Sequence, residues 1–332
     1  MKALSPAPWI RPLLGRADDM RAEVWLRCTP PAAASQETVV SGTIVGPECS
    51  TAATLPTTVQ LVDQGAVEGQ PALARGVCTE PGFWTPELPN LYLADVTLRR
   101  GDEIIAAGRR KIGLRRLGVK GRSLWLDGRR YVPRGVPGLA DRAGLEALVP
   151  LSAAAVVTVS DTTDLASESF AARLDATLTL ADRIGVAVVI CIAPSDGVAP
   201  DPQLFQERLE GWSAHPSAFL VVLPSGLADV AVAVGRRRGT MLLGLEVDGL
   251  QPPPLPVGGI DLFVVRLPED GVPHDAWQRV PALPLVAAIR GSDRVPADFA
   301  RGTCDRLQAR LAAWALPDLR DQPWDWAGYL VT

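Results

Sequence analysis

Two hydrophobic patterns divide the chain. From about Arg21 to Leu117, apolar and polar residues alternate with a period of two in short runs: Arg21–Thr29, Thr38–Val45, Thr57–Val62, Ala72–Thr79, Tyr92–Arg99 and Glu103–Leu114. Turn residues such as Pro30-Pro31, Gly46-Pro47 and Gly101-Asp102 separate the runs, and no helical period intervenes. Period two places alternate side chains on opposite faces of a strand, so this region predicts a β-sandwich. Ser123–Leu126 and Arg129–Val132 flank Asp127-Gly128, the dipeptide that favours a tight hairpin.

Beyond Arg134 the pattern changes to fully apolar runs alternating with amphipathic stretches. Buried strands are expected at Arg134–Val136, Ala154–Ser160, Val186–Ala193, Ala218–Leu223, Met241–Val247, Ile260–Arg266, Leu285–Ile289 and Ala327–Val331. Helices are expected near Ala143–Val149, Ser167–Ile184, Gln203–Trp212, Ala228–Arg238, Asp275–Val280 and Asp298–Trp314. Strands apolar on both faces, joined by helical crossovers, imply a parallel sheet, and eight of them imply a (β/α)8 barrel. The expected organisation is an N-terminal arm at 1–20, an immunoglobulin-like β-sandwich at 21–118 and a compact TIM-like barrel at 119–332 that lacks its last helix.

Several function classes fall away on composition. The first twenty residues carry only the apolar islands Trp9-Ile10 and Leu13-Leu14 between prolines, which does not read as a signal peptide. No apolar run is long enough to span a bilayer. The five cysteines, Cys28, Cys49, Cys78, Cys191 and Cys304, have no metal-ligand spacing, and only His215 and His274 could assist them. The reading is therefore reduced thiols in a cytoplasm, with no metal or other cofactor and no nucleic-acid partner. Net charge is −4, yet Arg99 to Arg134 holds twelve Lys/Arg against Asp102, Glu103 and Asp127. That stretch reads either as solvated strand faces balanced by acidic neighbours or as one basic face (Arg109, Arg110, Lys111, Arg115, Arg116, Arg129 and Arg130) for an acidic protein or an anionic membrane surface.

Trp84-Thr-Pro-Glu-Leu-Pro-Asn-Leu-Tyr92, Lys111-Ile-Gly-Leu-Arg115, and Leu126-Asp-Gly-Arg129 running into Arg134-Gly-Val136 are three ordered motifs. Together they resemble glycoside hydrolase family 2, the β-galactosidase, β-mannosidase and β-glucuronidase group. Farther on, Leu180-Ala-Asp-Arg-Ile-Gly185 and His215-Pro-Ser217 resemble the segments that precede the family's third and fourth barrel strands. The resemblance implies a sandwich followed by a barrel with a carboxyl pair from strands four and seven. Laid on the family's strand-four motif, this chain puts Ser225 at the asparagine and Gly226 at the acid/base. On strand seven, with Pro284 and Gly291 matched, Ile289 falls at the nucleophile; Val157 and Pro137 replace two further polar residues.

Neither glycine nor isoleucine can transfer a proton or form a glycosyl ester. Other strand-end acids exist, namely Asp161, Asp164, Asp196, Glu246, Asp248, Asp293 and Asp325, with Glu246 and Asp248 pointing the same way and lacking an evident partner. Trp324 and Trp326 are candidates for a sugar platform or for core packing. The expectation is a pseudoenzyme, a non-catalytic structural or accessory subunit. Its partners are other proteins of a larger complex, peripheral to a membrane-bound bioenergetic or photosynthetic assembly on its cytoplasmic side. The alternatives are a carbohydrate-binding module with a dead cleft and a glycosidase with relocated carboxylates. With no helix after strand eight, the flank between strands eight and one should need a cover: the arm, through Trp9, Ile10, Leu13 and Leu14, or a partner protein.

Overall fold

The computed structural model describes residues 7–29, 38–65, 70–138, 141–193, 200–234, 241–255, 257–279, 283–291, 296–315 and 326–332. The chain forms two units, Met1–Arg116 together with Ala214–Pro216, and the remainder from Leu117 to Thr332.

The first unit is a sandwich of two four-stranded antiparallel sheets. One sheet has the order β1 (Ile10–Ala17), β2 (Arg21–Cys28), β6 (Ala72–Thr79), β5 (Val62–Asp63); the other runs β4 (Thr57–Gln60), β3 (Thr38–Glu48), β7 (Leu91–Arg100), β8 (Glu103–Ile112). Alternation fixes the inner faces: Val24 and Leu26 of β2, Val40 and Ile44 of β3, and Val96 and Leu98 of β7 are all buried in one core. The expected arm is not an arm. Ile10–Ala17 pairs with β2 from Ile10 opposite Cys28 to Ala17 opposite Ala22, and Ile10 is wholly buried. Pro12 hides this strand from a pattern reading, but a residue with no N–H is tolerated on a sheet edge, where β1 lies.

The family-like motif Trp84–Tyr92 is a core device of this unit. Trp84 is 0% exposed and its amide donates to the Leu114 carbonyl at 2.7 Å. The Tyr92 hydroxyl accepts from the Gly82 amide at 2.8 Å, and the Asn90 side chain donates to the Phe83 carbonyl at 3.0 Å. Two apolar rings and a satisfied amide thus hold an irregular loop without orphaned polar groups.

The second unit opens with a three-stranded sheet, β9 (Leu117–Lys120), β10 (Ser123–Leu126) and β11 (Arg129–Tyr131), in the order β11-β10-β9. Asp127 and Gly128 both take positive φ, 48° and 74°, which matches a tight hairpin turn to the strands' twist. A closed parallel barrel follows: β12 (Arg134–Pro137), β13 (Ala154–Ser160), β14 (Val188–Ala193), β15 (Ala218–Pro224), β16 (Leu242–Asp248), β17 (Leu262–Leu267), β18 (Leu285–Ile289) and β19 (Gly328–Val331). The crossovers carry α1 (Arg142–Leu148), α2 (Asp161–Ala166), α3 (Glu168–Ile184), α4 (Pro202–Trp212), α5 (Ala228–Val234) and α6 (Ala297–Ala315), with single 3-10 turns at Ser225–Leu227 and Asp275–Arg279. Ser167 caps α3 by accepting the Phe170 amide at 3.2 Å, and Gly185 ends it at φ 87°.

The motif residues Asp182 and Ser217 meet here. The buried Asp182 carboxylate accepts the Ser217 amide at 2.9 Å, and the Ser217 hydroxyl donates to the Leu178 carbonyl at 3.2 Å. The start of β15 is thereby tied to the end of α3.

The expected bare flank is covered from within the chain. Helix α6 packs on β12 and β19: Cys304, wholly buried, directs its thiol at the carbonyls of Gly135 (3.4 Å) and Tyr329 (3.6 Å), while Arg134 reaches Asp305 at 3.2 Å and Gln308 at 2.7 Å. Neither the N-terminal residues nor a partner is needed as a lid there. Counting helices against strands missed this, because a 19-residue helix is about 28 Å long and can lie across two strands.

Candidate functional site

In a barrel of parallel strands the chemistry belongs at the carboxyl ends, on side chains that face inward. Leu243, Leu245 and Val247 of β16, Phe263, Val265 and Leu267 of β17, and Leu285, Ala287 and Ile289 of β18 share the core between strands and helices. By alternation the inward positions are Gly244, Glu246 and Asp248, then Val264 and Arg266, then Val286 and Ala288. A Cβ added at Gly244 would meet Leu262, Val264 and Leu220, the interior packing of the barrel.

This register decides the fate of the positions that the family motifs assign. Ile289 is 3% exposed and packed outward against the helices, so it lacks both a reactive group and the right orientation. Val157 also packs outward. Gly226 lies in the turn Ser225–Leu227 just beyond β15, and a Cβ there would meet nothing within 4 Å. Pro137 ends β12.

The inward-facing acid Glu246 does have a partner. Its carboxylate is in close contact with the Arg266 guanidinium, with side-chain exposures of 18% and 29%. Asp248 is exposed and accepts the Leu250 amide at 2.9 Å, which makes it a turn-stabilising residue. Cys191 lies near the Glu246–Arg266 pair, and its thiol is pushed up to about 12, first by burial and further by the Glu246 charge. It is therefore a protonated thiol at neutral pH, not a nucleophile. Glu246 and Arg266 were legible in principle: Arg266 is the one charge in β17, and Glu246 shares the inward face of β16 with Asp248 alone among charged residues.

Other expected site residues are dispersed. Trp326 is 2% exposed in the barrel core, and its carbonyl accepts from Arg130, so it packs instead of offering a ring face. His274 accepts the Ala276 amide at 3.1 Å and opens a 3-10 turn; the buried His215 contacts Arg110 at 3.4 Å. Asp164 belongs to α2 and not to a strand end. Asp196, Asp293, Trp324, Asp325 and the side chain of Asp161 lie outside the described residues.

Within the first unit the basic residues do not assemble into one face. Arg109 pairs with Asp95 at 2.6 Å, Lys111 with Glu48 at 2.6 Å and Arg116 with Asp19 at 2.7 Å. Arg110, a strand neighbour of Arg109, points the other way and donates to the carbonyls of Pro8 and Ile10. Arg115 is buried and donates to the Pro216 carbonyl. Arg129 and Arg130 belong to the second unit. Of the apolar candidates, Ile10 is core, Trp9 and Leu14 pack against the core, and only Leu13 is exposed. Among the described residues no His, Cys, Asp and Glu gather into a metal-binding group, and no helix is long and apolar enough to cross a membrane.

Comparison with known proteins adds a family match over part of the chain. Residues 8–115 match the model of the family Glycosyl hydrolases family 2. Over 58 residues the chain is 45% identical to a β-galactosidase of Klebsiella pneumoniae (strain 342), a stretch that is 18% of this chain and 6% of that protein. The β-glucuronidase of Bacteroides uniformis superposes with a TM-score of 0.58 at 15% identity, covering 97% of this chain and 45% of that one. The β-glucuronidase of Parabacteroides merdae gives 0.58 at 13% identity, covering 99% and 47%. At such identity these structures establish a shared sandwich-plus-barrel fold, and the chain spans about half their length.

Proposed function

We propose that this chain, whose residues 8–115 match glycosyl hydrolases family 2, is a pseudoenzyme serving a larger protein assembly as a structural or accessory subunit. The observation that carries the reading is the barrel mouth. A retaining glycosidase needs two carboxyl groups about 5–5.5 Å apart, one to give and take the proton and one to hold the sugar. The two assigned positions hold Gly226, which has no side chain, and Ile289, which faces the helices. Of the inward acids on the described strands, Glu246 is bound to Arg266 and Asp248 is spent on a turn. Meanwhile the residues that hold the fold, such as Trp84, Tyr92 and Asp182, remain in place.

Purified full-length protein assayed with aryl β-galactosides and aryl β-glucuronides should release no aryl alcohol above the buffer rate. In an extract of its own cells it should sediment faster than a single chain. Turnover that disappears on Glu246→Gln or Asp248→Asn would overturn the reading in favour of relocated carboxylates.

A further inference from the structure

We infer that the proline run after β16, Gln251-Pro-Pro-Pro-Leu255, is a docking ridge for a partner protein whose surface carries a groove lined by aromatic side chains. The inference rests on the subunit reading above and names the segment through which such a subunit would be held.

The conformation of the run follows from its residues. Pro252, Pro253 and Pro254 lock their own φ at about −65°, and Gln251, Pro252, Pro253 and Leu255 each precede a proline, which keeps them out of the helical region. What remains is the polyproline II helix, with a period of about three residues, a rise of about 3.1 Å per residue and no internal hydrogen bonds. Accordingly, residues 252–255 form no helix, strand or turn. The period puts Pro252 and Leu255 on one edge, and both are exposed, Leu255 at 87%, while Pro253 between them is half-buried.

Both ends of the segment are fastened to the barrel. The Asp248 carboxylate at the end of β16 accepts the Leu250 amide at 2.9 Å, and its carbonyl accepts the Gln251 amide at 3.3 Å. The wholly buried Trp277 donates its indole N–H to the Gln251 carbonyl at 2.8 Å, one residue before the prolines. On the far side, Gly259 takes φ 85° against α5, where an added Cβ would collide with the Ala231 carbonyl oxygen. Asp261 then donates its amide to the Leu243 carbonyl and accepts the Leu243 amide on its carboxylate, both at 2.8 Å. A ridge held at both feet already has its bound shape, so docking it costs less conformational entropy than ordering a free peptide.

The chemistry of the ridge selects its partner. A stiff spacer would need only the prolines, yet the most exposed side chain of the run is a leucine. Residues 252–254 have no N–H to donate, so a partner strand could not pair along them. No residue from Gln251 to Pro256 carries a charge, so the run offers nothing to a nucleic acid or an anionic membrane. It does offer flat pyrrolidine faces, an aliphatic side chain on the same edge, and carbonyls that a polyproline helix leaves without internal donors. A groove of Trp and Tyr takes all three, packing its rings on the prolines and donating its indole N–H or phenol O–H to the carbonyls.

The test places a photo-crosslinking residue at Leu250, 51% exposed and just before the run, and for comparison at Phe299, 58% exposed on α6, in the chain made in its own cells. Leu250 should link to a protein through peptides that contain Trp or Tyr, and Phe299 should not. Pro252→Ala with Leu255→Ala should reduce that yield by about tenfold while the melting temperature stays near wild type. Leu255→Asp, which leaves every proline in place, should do the same. Unchanged yield in either variant, adducts to lipid or nucleic acid, or links to segments without aromatic residues would overturn the inference. Links from Phe299 alone would also overturn it and leave the subunit reading standing. No link from either position, with the protein sedimenting as a single chain, would overturn both.

Discussion

The loop Trp84–Tyr92 of the sandwich and the mouth of the barrel both lie on segments that resemble the same family, yet they differ in what survives. In the loop, every residue that supports its neighbours is present: a buried indole, a tyrosine hydroxyl bonded at both ends and an asparagine on a carbonyl. At the mouth the supports are present too, since Asp182 holds Ser217 at the foot of β15, but the two positions that family spacing assigns to the carboxyl pair hold Gly226 and Ile289, neither of which carries a carboxyl group. Losing a packing residue endangers the fold, whereas losing a catalytic one costs no stability. A chain released from turnover but still required as a folded body would show this division, and each prediction below weighs one side of it against the other.

The largest effect should come from the loop. Trp84→Ala removes a fully buried indole and should cost roughly 3–5 kcal/mol in chemical denaturation. A loss below about 1 kcal/mol would mean that the family-like loop is not a structural requirement, and the contrast would lapse.

The mouth should respond less, and through stability instead of activity. Arg266→Met leaves Glu246 partly buried and unpaired, which should cost about 1–3 kcal/mol; Glu246→Gln in the same chain should recover most of it, because the uncompensated charge is then gone. A double variant no more stable than the single one would show that the arginine matters for packing alone.

How much of this was legible in the sequence follows from how local each cause is. The barrel strands announced themselves as apolar runs, and α3 and α4 by their helical period, because those signals lie within a few residues. β1 was missed since Pro12 and Gly15 break its alternation, and only its place on a sheet edge makes them tolerable. The supposed basic face dissolved because its neutralising acids come from elsewhere in the chain: Asp95 is 14 residues from Arg109, Glu48 is 63 from Lys111 and Asp19 is 97 from Arg116. Motif spacing assigns Gly226 and Ile289 to the carboxyl positions from nearby residues alone, whereas the outward orientation of Ile289 depends on the pleat and the Glu246–Arg266 pair on the register of β16 with β17.

A pH dependence sharpens the picture of the barrel flank. Asp305 on α6 is held below the usual carboxylate range, foremost by its hydrogen bond from Arg301 and also by Arg134, so its folded-state pKa lies under its unfolded one. Its contribution to stability is therefore full above the unfolded pKa, about 3.9 for a free aspartate, and is lost as pH falls through the lower folded value. Wild type should exceed Asp305→Asn in melting temperature at pH 7, and the gap should close on acidification through that window. A gap that widens in acid would remove the ion pair from the account of how α6 covers the flank.

The smallest effect on the fold, and the sharpest question for the mouth, belongs to Gly226→Glu. The turn takes no positive φ at this residue and a Cβ there meets only open space, so the substitution should change stability by less than about 1 kcal/mol, with a small gain from the less flexible backbone. It returns a carboxyl to the position that family spacing assigns to the acid/base, but proton transfer alone does not break a glycosidic bond; a second carboxyl must meet the anomeric carbon or activate water. Ile289, packed among the helices, supplies none, and Glu246 is engaged by Arg266. The variant should thus fold like wild type and hydrolyse aryl β-glycosides no faster than buffer. If turnover appears, another acid already stands ready across the mouth, and the barrel has lost only one half of a catalytic pair.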